Sequence, residues 1–144
     1  MLTVNGDIVN DGKIVEFRPL RKIDLSGNNK AGFIIRFQNN GNVHLKPTGE
    51  IFINNIFGRK VATLRVNEDA GNVLPNSIRK FQIDWDKYNR FGRYTAQAGL
   101  IYGDGKSATG KTVFWVIPLK ETLITIAVLL IIFRAIRRNT KKRK

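Results

Sequence analysis

One segment of the chain satisfies a complete nucleotide-binding pattern, G-x-x-x-x-G-K-[ST], over residues 105–112. In a true phosphate-binding loop the backbone amides wrap the phosphates, the lysine (here Lys111) reaches the terminal ones, and a helix begins at that point. Residues 112–118 are instead β-branched and aromatic and end in Pro118, which is typical of a strand. We therefore expect no nucleotide binding and interpret residues 103–110 as a polar hairpin loop.

The other residue types that carry chemistry are scarce. The chain has no cysteine, which excludes disulfides, zinc–thiolate sites and thiol catalysis. His44 is the only histidine, and we interpret it as a structural residue. Asp84, Asp86 and Asp104 could meet at one end of a β-sandwich, but calcium needs more oxygen ligands at defined spacing. We therefore expect no enzyme activity, no cofactor and no metal site.

Residues 13–118 show the period-2 alternation of short strands, which predicts a mainly β, immunoglobulin-like antiparallel sandwich of about seven strands. One face of each strand is assigned to the core, with Trp85 as a bulky core residue. Tyr94 begins the penultimate strand, either as a tyrosine corner bonded to upstream backbone or as an ordinary core aromatic. The clearest alternating runs are Phe33–Gln38, Lys80–Trp85 and Arg93–Tyr102.

A charge-free apolar run follows at residues 122–133. Twelve helical residues reach only about 18 Å, against a hydrocarbon thickness of about 30 Å. Extension to residues 119–137 gives about 28 Å if the charged side chains at both ends reach the head groups. We therefore predict a transmembrane helix at 119–137. Its predicted membrane-anchoring side chains are Leu119, Leu123, Ile126, Leu129, Leu130, Ile132 and Phe133.

The charge is strongly basic, with 25 Lys and Arg against 11 Asp and Glu, and half of the net +14 lies in residues 134–144. Such a cluster could bind nucleic acid, but it has no aromatic partners. Beside an apolar helix it is better explained as the flank that stays cytoplasmic, with 138–144 as a basic tail and the domain outside the cell. The predicted topology-determining residues are Arg134, Arg137, Arg138, Lys141, Lys142, Arg143 and Lys144.

The first residues give no export signal, because residues 1–8 contain neither a basic region nor an apolar stretch. We expect residues 1–12 to be disordered or a remnant of a preceding domain. Two explanations stay open. The chain is a fragment of a longer exported protein, or it inserts by its tail, in which case the domain faces the cytoplasm.

The order of four segments before the helix and the basic tail resembles the order found in a group of bacterial surface proteins. The segments are residues 33–49, 72–75, 92–96 and 112–118. They are similar to the extracellular domains of WxL-interacting proteins. The resemblance covers about residues 30–144 and implies an N-terminal signal, one or more immunoglobulin-like domains and a C-terminal anchor. It brings no catalytic residues.

These patterns together predict a non-catalytic, single-pass module of a bacterial cell membrane that acts in adhesion, envelope binding or assembly. The expected partners are the lipid bilayer and another envelope protein or polymer, without nucleic acid or nucleotide. The alternative is an accessory or spacer subunit of a membrane protein complex.

Overall fold

The computed structural model describes residues 6–24, 31–86, 91–117 and 119–141. Within these ranges the chain forms strands followed by a helix. The elements in chain order are β1 (Gly12–Pro19), β2 (Ile23–Asp24), β3 (Ala31–Asn39), β4 (Thr48–Asn55), β5 (Lys60–Val66), β6 (Ser77–Trp85), β7 (Gly92–Tyr102), β8 (Lys106–Val116) and α1 (Leu119–Lys141).

The strands form two sheets, one of three strands in the order β1-β3-β6 and one of five in the order β2-β8-β7-β4-β5. Neighbouring strands are antiparallel except β2 and β8, which pair in parallel. The chain changes sheet between β1 and β2, over residues 20–22. This arrangement is an immunoglobulin-like β-sandwich, which confirms the predicted mainly β fold.

The inward faces of the strands build a core rich in aromatic rings. Phe33 is completely buried, and its ring lies edge-on against Phe114, with 5.4 Å between the centroids. Phe114 also stacks on Tyr94 at 5.7 Å, and Trp85 stands edge-on to Tyr94 at 6.2 Å. The residues that alternation assigned to the core on these strands are therefore buried together between the sheets.

The loops at one end of the sandwich are closed by a buried side-chain amide. The Nδ2 of Asn39 donates to the carbonyls of Val43 at 2.7 Å and Val73 at 3.0 Å. Its Oδ1 accepts the N–H of Gly41 at 2.9 Å. One buried polar side chain thus satisfies backbone groups of two loops that would otherwise need water.

The predicted hairpin loop at 103–110 is wrong in extent. The turn occupies only residues 103–105, where Gly103 and Gly105 adopt positive φ angles of 53° and 83°. Strand β8 starts at Lys106 and pairs along its whole length with β7. Residues 106–111 have little β propensity of their own, so their extended conformation comes from pairing with β7.

Helix α1 begins three residues after β8 ends at Val116. Among the described residues, no helix combines the length and the apolar character needed to cross a membrane. The predicted transmembrane helix at 119–137 is therefore unsupported, because charged residues on both sides leave only residues 122–133 without charge.

Candidate functional site

The outer face of the five-stranded sheet carries the side chains that alternate with the core. On β7 these outward positions include Gln97 and Gly99, whereas Ala96 and Ala98 between them are buried. The strand register places Phe52 of β4 opposite Gln97 on one side, and Lys111 of β8 opposite Gln97 on the other. An aromatic ring, an amide and an ammonium group therefore lie in one row across three strands.

A depression of about 490 Å³ opens beside this row. It exists because Gly99 has no side chain: a Cβ added there would meet no heavy atom within 4 Å. The floor is therefore backbone, and the neighbouring side chains form the walls. The lining residues are Phe52, Gln97, Ala98, Gly99, Thr109, Gly110 and Lys111.

The walls of this depression suit non-covalent binding. The Phe52 ring supplies an apolar face, and the Nζ of Lys60 lies 5.5 Å from its centroid. Gln97, Thr109 and Lys111 are exposed and offer an amide, a hydroxyl and a cation. Among the residues that the structure describes, no group of three or more His, Asp and Glu side chains could hold a metal ion.

The nucleotide-binding pattern lies beside this depression, in an extended strand. Gly110, Lys111 and Thr112 belong to β8 and pair with Ala98, Gln97 and Ala96 of β7. A phosphate-binding loop instead curls its backbone amides around the ligand and continues into a helix.

The candidate histidine and aspartates do not come together in one site. His44 is exposed, which corrects its interpretation as a structural residue, although the adjacent Leu45 is buried. Asp104 accepts a hydrogen bond from the Nδ2 of Asn10 at 2.6 Å, in the turn between β7 and β8. Asp84 lies at the other end of the sandwich, on β6 next to Trp85.

Acidic and basic side chains pair on the outer face of the three-stranded sheet. Glu16 accepts a hydrogen bond from the Nε of Arg18 at 2.6 Å, and Arg36 Nη1 lies 3.6 Å from its other oxygen. The hydrogen bond from Arg18, together with the positive charges of both arginines, lowers the pKa of the Glu16 carboxyl below its ordinary value.

The predicted anchor residues all lie on α1 and are exposed: Leu119, Leu123, Ile126, Leu129, Leu130, Ile132 and Phe133. Arg134, Arg137 and Arg138 are exposed on its last turns, and Lys141 ends the helix. Lys142, Arg143 and Lys144 lie outside the described residues.

Two features of the surface were missed by sequence reasoning. Gly99 is one of several glycines, and only the register shows that its position opens a depression. Ile56 and Phe57 interrupt a polar turn with exposed apolar side chains. Two large apolar residues directly before Gly58, in the turn between β4 and β5, were a signal that could have drawn attention to them.

No family model and no curated protein matches the chain. Solved structures do. The C-terminal domain of Wzt is similar over 80% of this chain and 80% of its own length, with a TM-score of 0.57 and 12% identity. The sporulation control protein Spo0M of Bacillus subtilis is similar over 84% of this chain and 56% of its own length, with a TM-score of 0.52 and 9% identity.

A third similar structure is the b-glucosidase EmGH1 of Erythrobacter marinus, with a TM-score of 0.54 and 8% identity. The match covers 75% of this chain but only 16% of that enzyme. Identities this low bear on the fold alone. The comparisons therefore agree on a β-sandwich.

Proposed function

We propose that this protein is a non-catalytic module held at a cell membrane by α1, whose β-sandwich binds another component of the envelope. One observation carries the proposal. The apolar side chains of α1 are exposed on every side of the helix, and Thr125 is the only polar residue between positions 123 and 133. A helix of this kind has no face suited to water, and it becomes stable when its surroundings are apolar.

The length of α1 is compatible with a bilayer. Its 23 residues span about 34 Å at 1.5 Å per residue, slightly more than a hydrocarbon core of about 30 Å. The proposal places residues 122–133 in the hydrocarbon. Charged residues on both sides would then reach the head groups with their flexible stems.

The proposed orientation rests on the distribution of charge. Arg134, Arg137 and Arg138 are exposed on the last turns of α1, and further basic residues follow in the sequence. Clusters of this type stay on the cytoplasmic side of a membrane. The β-sandwich would then be extracellular, in line with the resemblance to extracellular domains of WxL-interacting proteins.

The proposed role of the sandwich is adhesion, envelope binding or assembly. The depression at Gly99 offers an aromatic face, hydrogen-bonding groups and a cation, which favours reversible binding of a partner. The net positive charge of the domain would favour an acidic protein or polymer.

Two matched substitutions test the membrane attachment. Leu129 and Ile136 are 59% and 58% exposed, so an arginine at either position would be equally acceptable in water. Near the middle of a membrane-inserted helix, however, an arginine costs about 2.5–3.5 kcal/mol. We expect Leu129→Arg to reduce the fraction that floats with membranes and resists carbonate extraction, and Ile136→Arg to leave that fraction unchanged. Equal behaviour of the two variants would contradict the proposal.

The short charge-free run favours a second candidate, an accessory or spacer subunit of a membrane complex. The longest run without charge is only twelve residues, 122–133, and helices of a partner protein could shield the charged ends of α1 from lipid. Purification in mild detergent distinguishes the two. A partner that copurifies in fixed stoichiometry, and is lost in Leu129→Arg, supports the subunit, whereas isolation of the chain alone supports the independent module.

A further inference from the structure

The register of the strands gathers five segments at the end of the sandwich where α1 begins. Gly92 pairs with Val116, and Asn55 pairs with Tyr94, so the turn after β4 lies beside the start of β7. Ile23 pairs with Trp115 in the parallel ladder. We call residues 20–24, 55–60, 84–86, 91–93 and 115–117 the junction end. The opposite end comprises residues 6–13, 40–48, 66–76 and 102–106.

The turn after β4 holds its apolar residues in a fixed position. The Oδ1 of Asn55 accepts the N–H groups of Phe57 and Arg59, each at 3.0 Å, and its carbonyl accepts the N–H of Gly58 at 2.9 Å. Gly58 has a φ of 75°, which suits glycine. This ordered turn projects Ile56 and Phe57 away from the core, and Phe57 is 84% exposed.

Other exposed apolar side chains accompany this turn. Phe91, directly before β7, is 65% exposed. Trp115 and its neighbour Ile23 in the parallel ladder are also exposed. The opposite end also exposes apolar side chains, including Ile8 and Leu74, but these are aliphatic. Its only Phe, Tyr or Trp in the stated ranges, Tyr102, is buried and donates its hydroxyl to a backbone carbonyl. Exposed aromatic side chains therefore concentrate at the junction end.

The two ends also differ in charge. The junction end has five basic residues against three acidic ones, namely Arg21, Lys22, Arg59, Lys60 and Arg93 against Asp24, Asp84 and Asp86. The opposite end has three against five, namely Lys13, Lys46 and Lys106 against Asp7, Asp11, Glu68, Asp69 and Asp104. The formal charge therefore changes sign between the two ends.

We infer that the junction end of the sandwich docks directly on an anionic lipid surface, with Ile56, Phe57 and Phe91 inserted among the head groups. This inference rests on the proposed function, because α1 begins only three residues after Val116 and would hold this end beside the bilayer. Aromatic side chains are favoured at the membrane interface, and basic ones are attracted to anionic lipid. The docked domain would have a fixed tilt on the membrane.

Nitroxide labels on single cysteines test the docking, because the chain contains no cysteine of its own. The full chain is reconstituted in vesicles of phosphatidylglycerol and phosphatidylcholine. Accessibility to a water-soluble nickel chelate and to oxygen then gives the depth of labels at Ile56, at Leu129 and at Glu68, which is exposed at the opposite end. We expect a deep label at 129, an interfacial label at 56 and a fully aqueous label at 68.

The outcomes separate the two proposals. An aqueous label at 56 with a deep label at 129 overturns docking and leaves membrane attachment intact. Aqueous labels at both positions overturn both proposals. An interfacial label at 56 that becomes aqueous in Phe57→Ser, but not in Leu74→Ser at the opposite end, supports docking. Both substituted residues are exposed, so neither change disturbs the core.

The contribution of charge has its own control. Arg59→Gln should lower the ratio of docked to undocked protein about fivefold, which corresponds to about 1 kcal/mol for one basic residue at an anionic surface. Lys46→Gln, at the opposite end, should leave the ratio unchanged. If both variants behave like the original chain in anionic vesicles, the electrostatic part of the docking is wrong.

Discussion

The β-sandwich and helix α1 differ in the burial of their apolar residues. In the sandwich, side chains alternate between core and surface, and large residues such as Phe33 are completely buried. Along α1, Phe133 and its neighbours are exposed although their composition is more apolar than that of any strand. The core of the sandwich is buried without a partner, whereas the apolar side chains of α1 are exposed along the helix.

This difference separates the side chains that stabilise the fold from those that the proposed membrane attachment uses. The core of the sandwich satisfies its own polar and apolar groups, as the buried Asn39 illustrates with three hydrogen bonds. The large apolar side chains of α1 are exposed instead. Changes in the core of the sandwich should therefore alter the free energy of unfolding, and changes in α1 should alter attachment.

The largest expected effect comes from truncating the same residue type in both regions. Phe33→Ala removes a buried ring that contacts Phe17 and Phe114, and should lower the free energy of unfolding by about 3–5 kcal/mol. Phe133→Ala removes an exposed ring and should change it by less than about 0.5 kcal/mol. Denaturant titration of the full chain in detergent, followed by the fluorescence of Trp85 and Trp115, measures both. Similar losses in the two variants would show that α1 packs on the sandwich.

An intermediate effect distinguishes two glycines of neighbouring strands. A Cβ at Gly49 would lie 1.9 Å from the carbonyl oxygen of Gly99, so Gly49→Ala should push β4 from β7 and cost about 1–3 kcal/mol. Gly99→Ala fills open space and should stabilise the sandwich by about 0.5–1 kcal/mol. Thermal unfolding of both variants checks the signs. Destabilisation by Gly99→Ala would mean that the depression is not open.

The smallest expected effect is the pH dependence contributed by Glu16. Its pKa is lowered in the folded chain, first by the hydrogen bond from Arg18, so its contribution is fully present above the unfolded pKa. That contribution is lost as the pH falls through the folded pKa. Because the pair is solvent-exposed, the effect should be small and weakened by salt.

The measurement for Glu16 is the difference in denaturation midpoint between neutral and acidic pH. Glu16→Gln should reduce this difference slightly, whereas Glu68→Gln, in an exposed turn, serves as the matched control. An unchanged difference in Glu16→Gln would contradict the role of Arg18.

Alternation along the chain was enough to predict the core faces of the central strands. Phe33, Phe81 and Tyr94 are buried as expected, because period-2 burial is a local property of the sequence. The start of β8 could not be predicted in the same way. Residues 106–111 become extended by pairing with β7, and such pairing depends on residues far away in the sequence.

The surface features could be located only from the register of the strands as well. Phe57 and Phe91 are separated by more than thirty positions in the sequence and lie at the same end of the sandwich because β4 and β7 are neighbours. Likewise, Gly99 opens a depression only because Phe52 and Lys111 lie on the adjacent strands. Sequence patterns name the residue types, but the pairing of strands decides which of them share a surface.

The directions of the first and last strands have a mechanical consequence. Strand β1 starts at the opposite end of the sandwich with Gly12, and β8 leaves at the junction end with Val116. A force applied between residue 12 and α1 would therefore pull along the strands and load the ladder between β7 and β8 in shear. All eleven residue pairs of that ladder would resist together instead of opening one at a time. The parallel pairing of β2 with the last residues of β8 reinforces the point where the load enters.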